Sequence, residues 1–428
     1  MPDERPGGLV AGIPLGPGTP ARRPTPEPKP APRPTQVPDH VAQPDKPVPL
    51  DAAPVDPDDR LPLGFAKISV HPALDDRGRE VFWLKGLSSD PQTRLDSEHP
   101  WLPPADLALH RLRKGGKAPP PSEILLGLAE WSLGQDDLVC WINALRARYG
   151  PDLQLVIWDD TDYDIPWELL NLGARDGGGL VSEILGALVT VVRWSSSLHC
   201  GPASPLGVPA SCAGHVLGYY AHGMTRDADA FDGFEHEPHI GSIETFLAEL
   251  TRPDLGAGLV YMGCHAEHGS KLNEVTLAEL TWSEYYWSAM PSLSGGSTLV
   301  YLNACDSARL VDNHGRGDNA LRGFPELFLR KGAGACIATS GKVGDDVAHE
   351  LVRELVGRVC ADPELPVARA LREFRAGALA RLPDTLPRAR NGLAQRRILL
   401  FLYSFMFLFF GHPFTTLQLS ERTPEVPA

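Results

Sequence analysis

Short apolar runs alternate with amphipathic stretches along the chain from residue 151 onwards. The runs that favour strands are Leu153–Trp158, His215–Tyr220, Leu259–Cys264, Leu299–Asn303 and Cys336–Thr339. The stretches with helical spacing are Ile243–Leu250, Leu277–Met290, Pro325–Lys331, Asp346–Val359 and Val367–Leu382. Because strands that alternate with helices form parallel or mixed sheets, we predict an α/β fold with a mainly parallel sheet sandwiched by helices.

Two of the predicted strands lead directly into a reactive side chain. His265 follows the strand that starts at Leu259, and Cys305 follows the strand that starts at Leu299. Side chains at the carboxyl ends of neighbouring parallel strands face one crevice. An imidazole there can take the proton of a thiol, and the thiolate is the attacking species. The pattern predicts Cys305 as nucleophile and His265 as base, or else a buried cysteine and an unrelated histidine.

The chain before residue 151 divides into two regions. Residues 1–60 hold 17 of the 42 prolines and almost no large apolar side chains. Such a composition predicts a disordered Pro-rich tail, which is a spacer, a docking segment or a cleavable pro-segment. Residues 61–150 are an accessory α/β region that extends the same sheet or folds alone, and residues 151–420 form the main domain. The predicted elements of the accessory region are the hairpin strands Phe65–Val70 and Arg79–Leu84 and helices in Glu123–Leu133 and Leu138–Tyr149.

Composition narrows the class of partner. The net charge of −14 argues against nucleic acid and against an anionic membrane surface. The seven cysteines are odd in number and scattered, which favours reduced thiols in the cytoplasm. No secretory signal is visible, because Met1–Pro6 is polar and lacks the apolar segment of a signal peptide.

No cofactor is expected, and metal binding has little support. Cys264, His265 and His268 lie close together in the sequence, but a fourth zinc ligand is missing.

The C-terminal run Ile398–Phe410 is almost unbroken apolar sequence. It is shorter than the roughly 20 residues that a membrane-spanning helix needs. Its phenylalanines and the following Gly411-His412-Pro413 favour a buried terminal strand, so we expect no stable membrane insertion.

Several short motifs together resemble the CHAT family of caspase-like cysteine peptidases, which are related to separases. They are Asp164-Ile165-Pro166-Trp167-Glu168-Leu169-Leu170, the strand that ends in Cys264-His265, the nucleophile turn Asn303-Ala304-Cys305, the helix end Lys331-Gly332-Ala333-Gly334-Ala335, the segment Val343–Ala348 and the terminal Gly411-His412-Pro413. The resemblance covers roughly residues 150–420.

The resemblance implies a caspase-like fold and a cysteine endopeptidase with catalytic His265 and Cys305. Asp345 would order a loop, and backbone amides near His265 and Cys305 would hold the oxyanion, with those of Asp306 and Gly269 as candidates. CHAT peptidases often act in bacterial signalling or defence on a dedicated protein partner, of which a gasdermin-like pore former is one candidate. The alternative is a non-catalytic CHAT scaffold that acts by partner binding.

Two features of the sequence leave alternatives open. The family often has glycine after the base, where this chain has Ala266, and His268 is a second candidate for the base. The acidic stretch Arg226–Glu237 is either a solvated loop or a cleft-lining loop that binds a basic substrate residue.

Overall fold

The computed structural model describes residues 61–90, 92–103, 119–173, 183–195, 209–236, 240–295, 297–312, 321–382 and 392–421, so the tail predicted over residues 1–60 lies outside it. The strands are β1 (Phe65–Leu74), β2 (Glu80–Ser88), β3 (Leu95–Asp96), β4 (Gln154–Asp159), β5 (Thr190–Trp194), β6 (Ser211–Tyr220), β7 (Ala257–Gly263), β8 (Ala266–Glu267), β9 (Thr276–Leu277), β10 (Leu280–Thr281), β11 (Leu299–Asn303), β12 (Val311–Asp312), β13 (Leu321–Arg322), β14 (Ala335–Thr339), β15 (Phe407–Gly411) and β16 (Thr416–Leu419). The helices are α1 (Pro121–Leu133), α2 (Asp136–Tyr149), α3 (Leu185–Leu188), α4 (Ile243–Leu250), α5 (Trp282–Trp287), α6 (Phe324–Arg330), α7 (Asp345–Ala361), α8 (Val367–Ala380) and α9 (Gly392–Ser404).

Eleven of the described strands pair in one sheet, in the order β16-β6-β7-β11-β14-β15-β5-β4-β1-β2-β3. Neighbouring strands are parallel except where β14 meets β15, β1 meets β2 and β2 meets β3. Helices flank this sheet. The predicted α/β fold with a mainly parallel sheet is therefore confirmed.

The central strands are buried along their whole length. Every residue of β7, β11, β14 and β15 is buried, which is expected of strands covered on both faces. Near-continuous apolar sequence marks such strands, and this is why the runs that start at Leu259 and Leu299 were recognisable. These strands position the predicted site residues.

The strands of the accessory region belong to the same sheet. β1 pairs antiparallel with β2, as the predicted hairpin requires, with Val70 opposite Leu84. On its other side β1 pairs parallel with β4. This region therefore extends the sheet, while the domain boundary at residue 150 stays a prediction.

The predicted helix Leu277–Met290 is wrong in its first part. β9 and β10 form a hairpin there, and its two turn residues, Ala278 and Glu279, have φ of +49° and +69°. Positive φ at both central residues is the conformation that two-residue hairpins favour. The helix begins only after Thr281, whose hydroxyl accepts the Glu284 N–H while the Glu284 carboxylate accepts the Thr281 N–H at 2.7 Å. This capping box is a visible sequence signature of a helix start.

The sequence predicts one buried strand for the C-terminal run Ile398–Phe410. This prediction is wrong, because the run forms the end of a helix followed by a strand. The buried residues Ile398, Phe401 and Leu402 have helical spacing and lie in α9. Only the end of the run, from Phe407, forms β15, which joins β14 to β5. In the described part of the chain, no helix has the length and apolar character needed to cross a membrane.

A buried ion pair lies where the segment after β4 packs on β5. Glu168 accepts hydrogen bonds from Arg193, with its Oε1 atom 2.8 Å from Arg193 Nε, and 2% of Glu168 is exposed. Arg375 is also fully buried nearby. Burial alone would raise the pKa of Glu168, but the two guanidinium groups outweigh it and hold that pKa below its ordinary value.

Candidate active site

His265 and Cys305 reach the same cavity because β7 and β11 are parallel neighbours in register. Gly263 of β7 pairs with Asn303 of β11, and the reactive residue, His265 or Cys305, lies two positions further along from each. The Cys264 N–H donates to the Asn303 carbonyl at 3.2 Å, so the two segments stay hydrogen-bonded for one residue beyond the end of β7. His265 and Cys305 both line a cavity of about 300 Å³. The structure therefore brings the two predicted site residues together.

The thiol of Cys305 is half-buried at this cavity, whereas His265 is exposed. Burial raises the pKa of Cys305, and the nearby carboxylates of Asp306 and Asp345 add to the effect. The Val343 N–H and the Lys342 ammonium act in the opposite direction and lower the same pKa. Because the sum of these effects favours the neutral thiol, Cys305 needs a base to become a nucleophile.

Asp306, directly after Cys305, has φ of +58°, in the left-handed region. Its N–H donates to the Gly341 carbonyl at 3.2 Å. That N–H is therefore engaged, and the expectation that it helps to hold the oxyanion is not supported. Gly269 does not line the cavity either.

The wall of the cavity contains a buried hydrogen-bond network around Asp227. Its Oδ2 atom accepts from the Tyr261 hydroxyl at 2.6 Å and from the Asn303 side-chain amide at 2.8 Å. Its Oδ1 atom lies 3.1 Å from His349 Nδ1. Since a carboxylate only accepts, we assign the proton of this contact to His349 Nδ1.

Sequence reasoning missed His349 as a cavity residue. It lies on α7, four residues after Asp345, and both residues line the cavity. Residues four apart share a helix face, so the spacing from Asp345 was the available signal.

The first part of the acidic stretch lines the cavity, as one of the two expectations had it, but as a 3-10 helix rather than a loop. Thr225–Phe231 form a 3-10 helix, with Asp227 buried against the cavity and Phe231 buried in the core. Glu235 is also buried and accepts from the Tyr220 hydroxyl at 2.5 Å. Asp229 and Asp232 are exposed, and Glu237 lies outside the described residues.

The remaining candidates lie away from the cavity or deep in the core. His268 does not line the cavity that holds Cys305. Cys264 is buried, and this burial raises its pKa to about 12. Among the described residues, no group of three or more His, Cys, Asp and Glu side chains could hold a metal ion.

Comparison with known proteins finds a similarity to one domain family over part of the chain. The CHAT domain family matches residues 221–391, a range that contains the cavity residues from Gly223 to His349. A search of curated protein sequences gives no match.

Two solved structures show partial similarity to this chain. Separase of Saccharomyces cerevisiae, solved as a separase–securin complex, is 12% identical with a TM-score of 0.42, covering 82% of this chain and 30% of the separase chain. The Arg-specific cysteine proteinase gingipain R is 12% identical with a TM-score of 0.39, covering 67% of this chain and 69% of gingipain. This chain thus spans 30% of the length of the separase chain. Residues 221–391 of this chain are thus similar to the CHAT domain family.

Proposed function

We propose that this protein is a cysteine endopeptidase that cleaves a protein partner. The observation that carries the proposal is the placement of His265 and Cys305 at the ends of adjacent, in-register strands on one cavity. A cavity beside the thiol can receive a substrate side chain next to the scissile bond.

In the proposed reaction, His265 takes the proton from Cys305 Sγ, and the thiolate attacks the scissile carbonyl carbon. The tetrahedral intermediate collapses to a thioester as His265 gives that proton to the leaving amine. Water then attacks the thioester, with His265 taking a proton from the water. Collapse releases the new carboxyl group, and the sulfur regains a proton as the free thiol. Backbone N–H groups near His265 and Cys305, other than that of Asp306, would hold the oxyanion.

A dedicated protein in bacterial signalling or defence is the proposed class of substrate, with a gasdermin-like effector as one candidate. This part of the proposal comes from the family resemblance. The odd number and scattered positions of the seven cysteines support a cytoplasmic location, where thiols would remain reduced.

A non-catalytic scaffold is the second candidate. The observation that favours it is the half-burial of Cys305, because burial raises the pKa of the thiol, and a mostly neutral thiol is a poor nucleophile without an effective base. In a scaffold, the same cavity would bind a partner segment without cleaving it.

A peptide-library cleavage profile with site variants separates the two candidates. Cys305→Ala should abolish cleavage with little change in melting temperature, and His265→Ala should lower kcat by about 10²–10⁴-fold. Cys360→Ala is the matched control, since it removes an exposed thiol on α7. We expect His268→Ala to cost much less than His265→Ala.

A thiol-reactive peptide probe should label Cys305 in the wild-type protein and lose that labelling in His265→Ala. Cleavage that persists in Cys305→Ala would refute the assignment of the nucleophile. Absence of both cleavage and selective labelling would favour the scaffold.

A further inference from the structure

The turn that carries Cys305 is anchored to the end of β14. The Thr339 hydroxyl donates to the Ala304 carbonyl, and the Thr339 N–H donates to the Ser307 hydroxyl at 3.0 Å. The Ala308 N–H donates to the Thr339 carbonyl at 2.8 Å. These bonds fix the turn along one neighbouring strand.

The backbone of this turn is strained at Asp306, so additional contacts are needed to hold its conformation. Asp306 has φ of +58°, and a non-glycine residue in the left-handed region costs about 1–3 kcal/mol. Such a conformation persists only where surrounding contacts impose it. Because the strained residue follows Cys305 directly, relaxation of the turn would move the thiol.

An ion pair supplies support from a distant part of the chain. Arg309 Nε lies 2.7 Å from Asp164 Oδ2, and the two side chains are 19% and 15% exposed. Asp164 belongs to the segment between β4 and the buried Trp167, and it too is strained, with φ of +52°. The pair therefore joins two strained segments that are 145 residues apart.

The charged groups around Asp164 affect its ionisation, and the Arg309 guanidinium stabilises its charged form. Burial raises the pKa of Asp164 to about 6, and the carboxylates of Asp162 and Asp306 act in the same direction, against Arg309. Asp306 belongs to the turn itself. Loss of Arg309 would therefore raise the pKa of Asp164 further and leave its buried carboxyl group without the cation that joins this segment to the turn.

We propose that the Arg309–Asp164 ion pair is a positioning contact that holds the nucleophile turn, and with it Cys305, against the cavity. Breaking the pair lets the turn move outwards, so that the thiol gains solvent but loses its alignment with His265. Burial is the largest cause of the raised thiol pKa, so a more exposed Cys305 titrates at lower pH. The variants should thus react faster with a small alkylating agent and slower with a peptide. The second of these effects rests on the proposed function, whereas the first does not.

The experiment measures labelling by iodoacetamide on the full chain between pH 6 and 9.5, with each cysteine followed by peptide mass spectrometry. In Arg309→Gln and Asp164→Asn we expect Cys305 to label several-fold faster at pH 7, with the midpoint of its pH profile at lower pH. Each unit by which the thiol pKa falls raises the thiolate fraction about tenfold below that pKa, which outweighs the smaller loss in thiolate nucleophilicity. Arg309→Lys, which keeps the charge, should recover part of the wild-type profile.

Three buried thiols serve as internal controls for unfolding, namely Cys212, Cys264 and Cys336. They should stay unlabelled in all variants. Arg146→Gln is the matched control, because it removes an ion pair of similar length, with Glu183 at 2.8 Å, on α2. Its Cys305 profile should equal that of the wild type.

Peptide cleavage is the second arm of the test. In Arg309→Gln, kcat should fall about 10-fold to 100-fold with little change in KM, because alignment rather than binding is lost. An unchanged Cys305 labelling rate and midpoint in both Arg309→Gln and Asp164→Asn would overturn the inference. If the wild-type protein cleaves no peptide, the proposed function fails, while the labelling comparison still decides the role of the pair.

Discussion

The buried ion pair of Glu168 gives the sharpest prediction for stability. Glu168→Gln keeps the shape of the side chain and one acceptor oxygen, but it removes the negative charge between Arg193 and Arg375. Both arginines are buried, at 6% and 1% exposure, so neither charge can turn to water without local opening. Removing one partner of a buried ion pair costs about 3–5 kcal/mol.

Because Asp159 also lies close to Arg193, the loss of stability in Glu168→Gln should lie at the lower end of the roughly 3–5 kcal/mol range. Its Oδ2 atom lies 3.8 Å from Arg193 Nη1, and the Ile165 carbonyl accepts from Arg193 Nη2 at 3.0 Å. Arg193 therefore keeps partial compensation, and we expect a loss of about 3 kcal/mol in the free energy of unfolding. Against a typical stability of about 5–15 kcal/mol, this loss is large.

The assay is urea unfolding of the full chain, with Glu183→Gln as the control. Glu183 pairs with Arg146 at 2.8 Å, but its side chain is 47% exposed, so its loss should cost less than about 1 kcal/mol. Because the pKa of folded Glu168 lies below its ordinary value, its stabilisation is present at neutral pH and is lost as the pH falls through the folded pKa. The difference between wild type and Glu168→Gln should shrink along the same acid limb. A loss no larger than that of Glu183→Gln at pH 7 would refute the reasoning.

Two further predictions concern packing and pH. Gly214→Ala should destabilise the protein by more than about 2 kcal/mol in urea unfolding, because the new Cβ would lie 2.0 Å from the Gly256 carbonyl oxygen at φ of +142°. Gly241→Ala, with no atom within 4 Å of its Cβ, should stay within about 0.5 kcal/mol of the wild type, and equal losses would contradict the packing argument. Burial raises the pKa of Glu326 from 4.5 to about 7, although the charges of Arg330 and Arg322 lower it. The contribution of protonated Glu326 to stability is therefore full below pH 4.5 and is lost as the pH rises through about 7. Wild-type stability should thus fall by about 1–3 kcal/mol across this window relative to Glu326→Gln, and parallel pH profiles would show that Glu326 is not the cause.

The sequence could predict the parts of the site that follow from local pattern. The buried runs before His265 and Cys305 have the continuous apolar character of central parallel strands, and a shared sheet edge follows from that topology. Helix α4 was predicted with its observed bounds, Ile243–Leu250, because its apolar spacing is local as well.

The contacts around the thiol could not be predicted in the same way. Asp227 and His349 are 122 residues apart, and they meet because α7 packs beside the 3-10 helix that starts at Thr225. Arg309 and Asp164 depend likewise on how the segment after β4 crosses towards the nucleophile turn. Hydrophobic periodicity reports which face of an element is buried, but not which element covers it.

The place of β15 in the sheet has a consequence for how the protein is synthesised. β5 is complete once Trp194 has been added, but its neighbour β15 begins only at Phe407, 213 residues later. At about 5–20 residues per second, this interval lasts roughly 10–40 s. During that time the fully buried residues of β5 border an unpaired edge, which can template aggregation. This edge of β5 therefore gains its partner strand only after translation has passed Gly411.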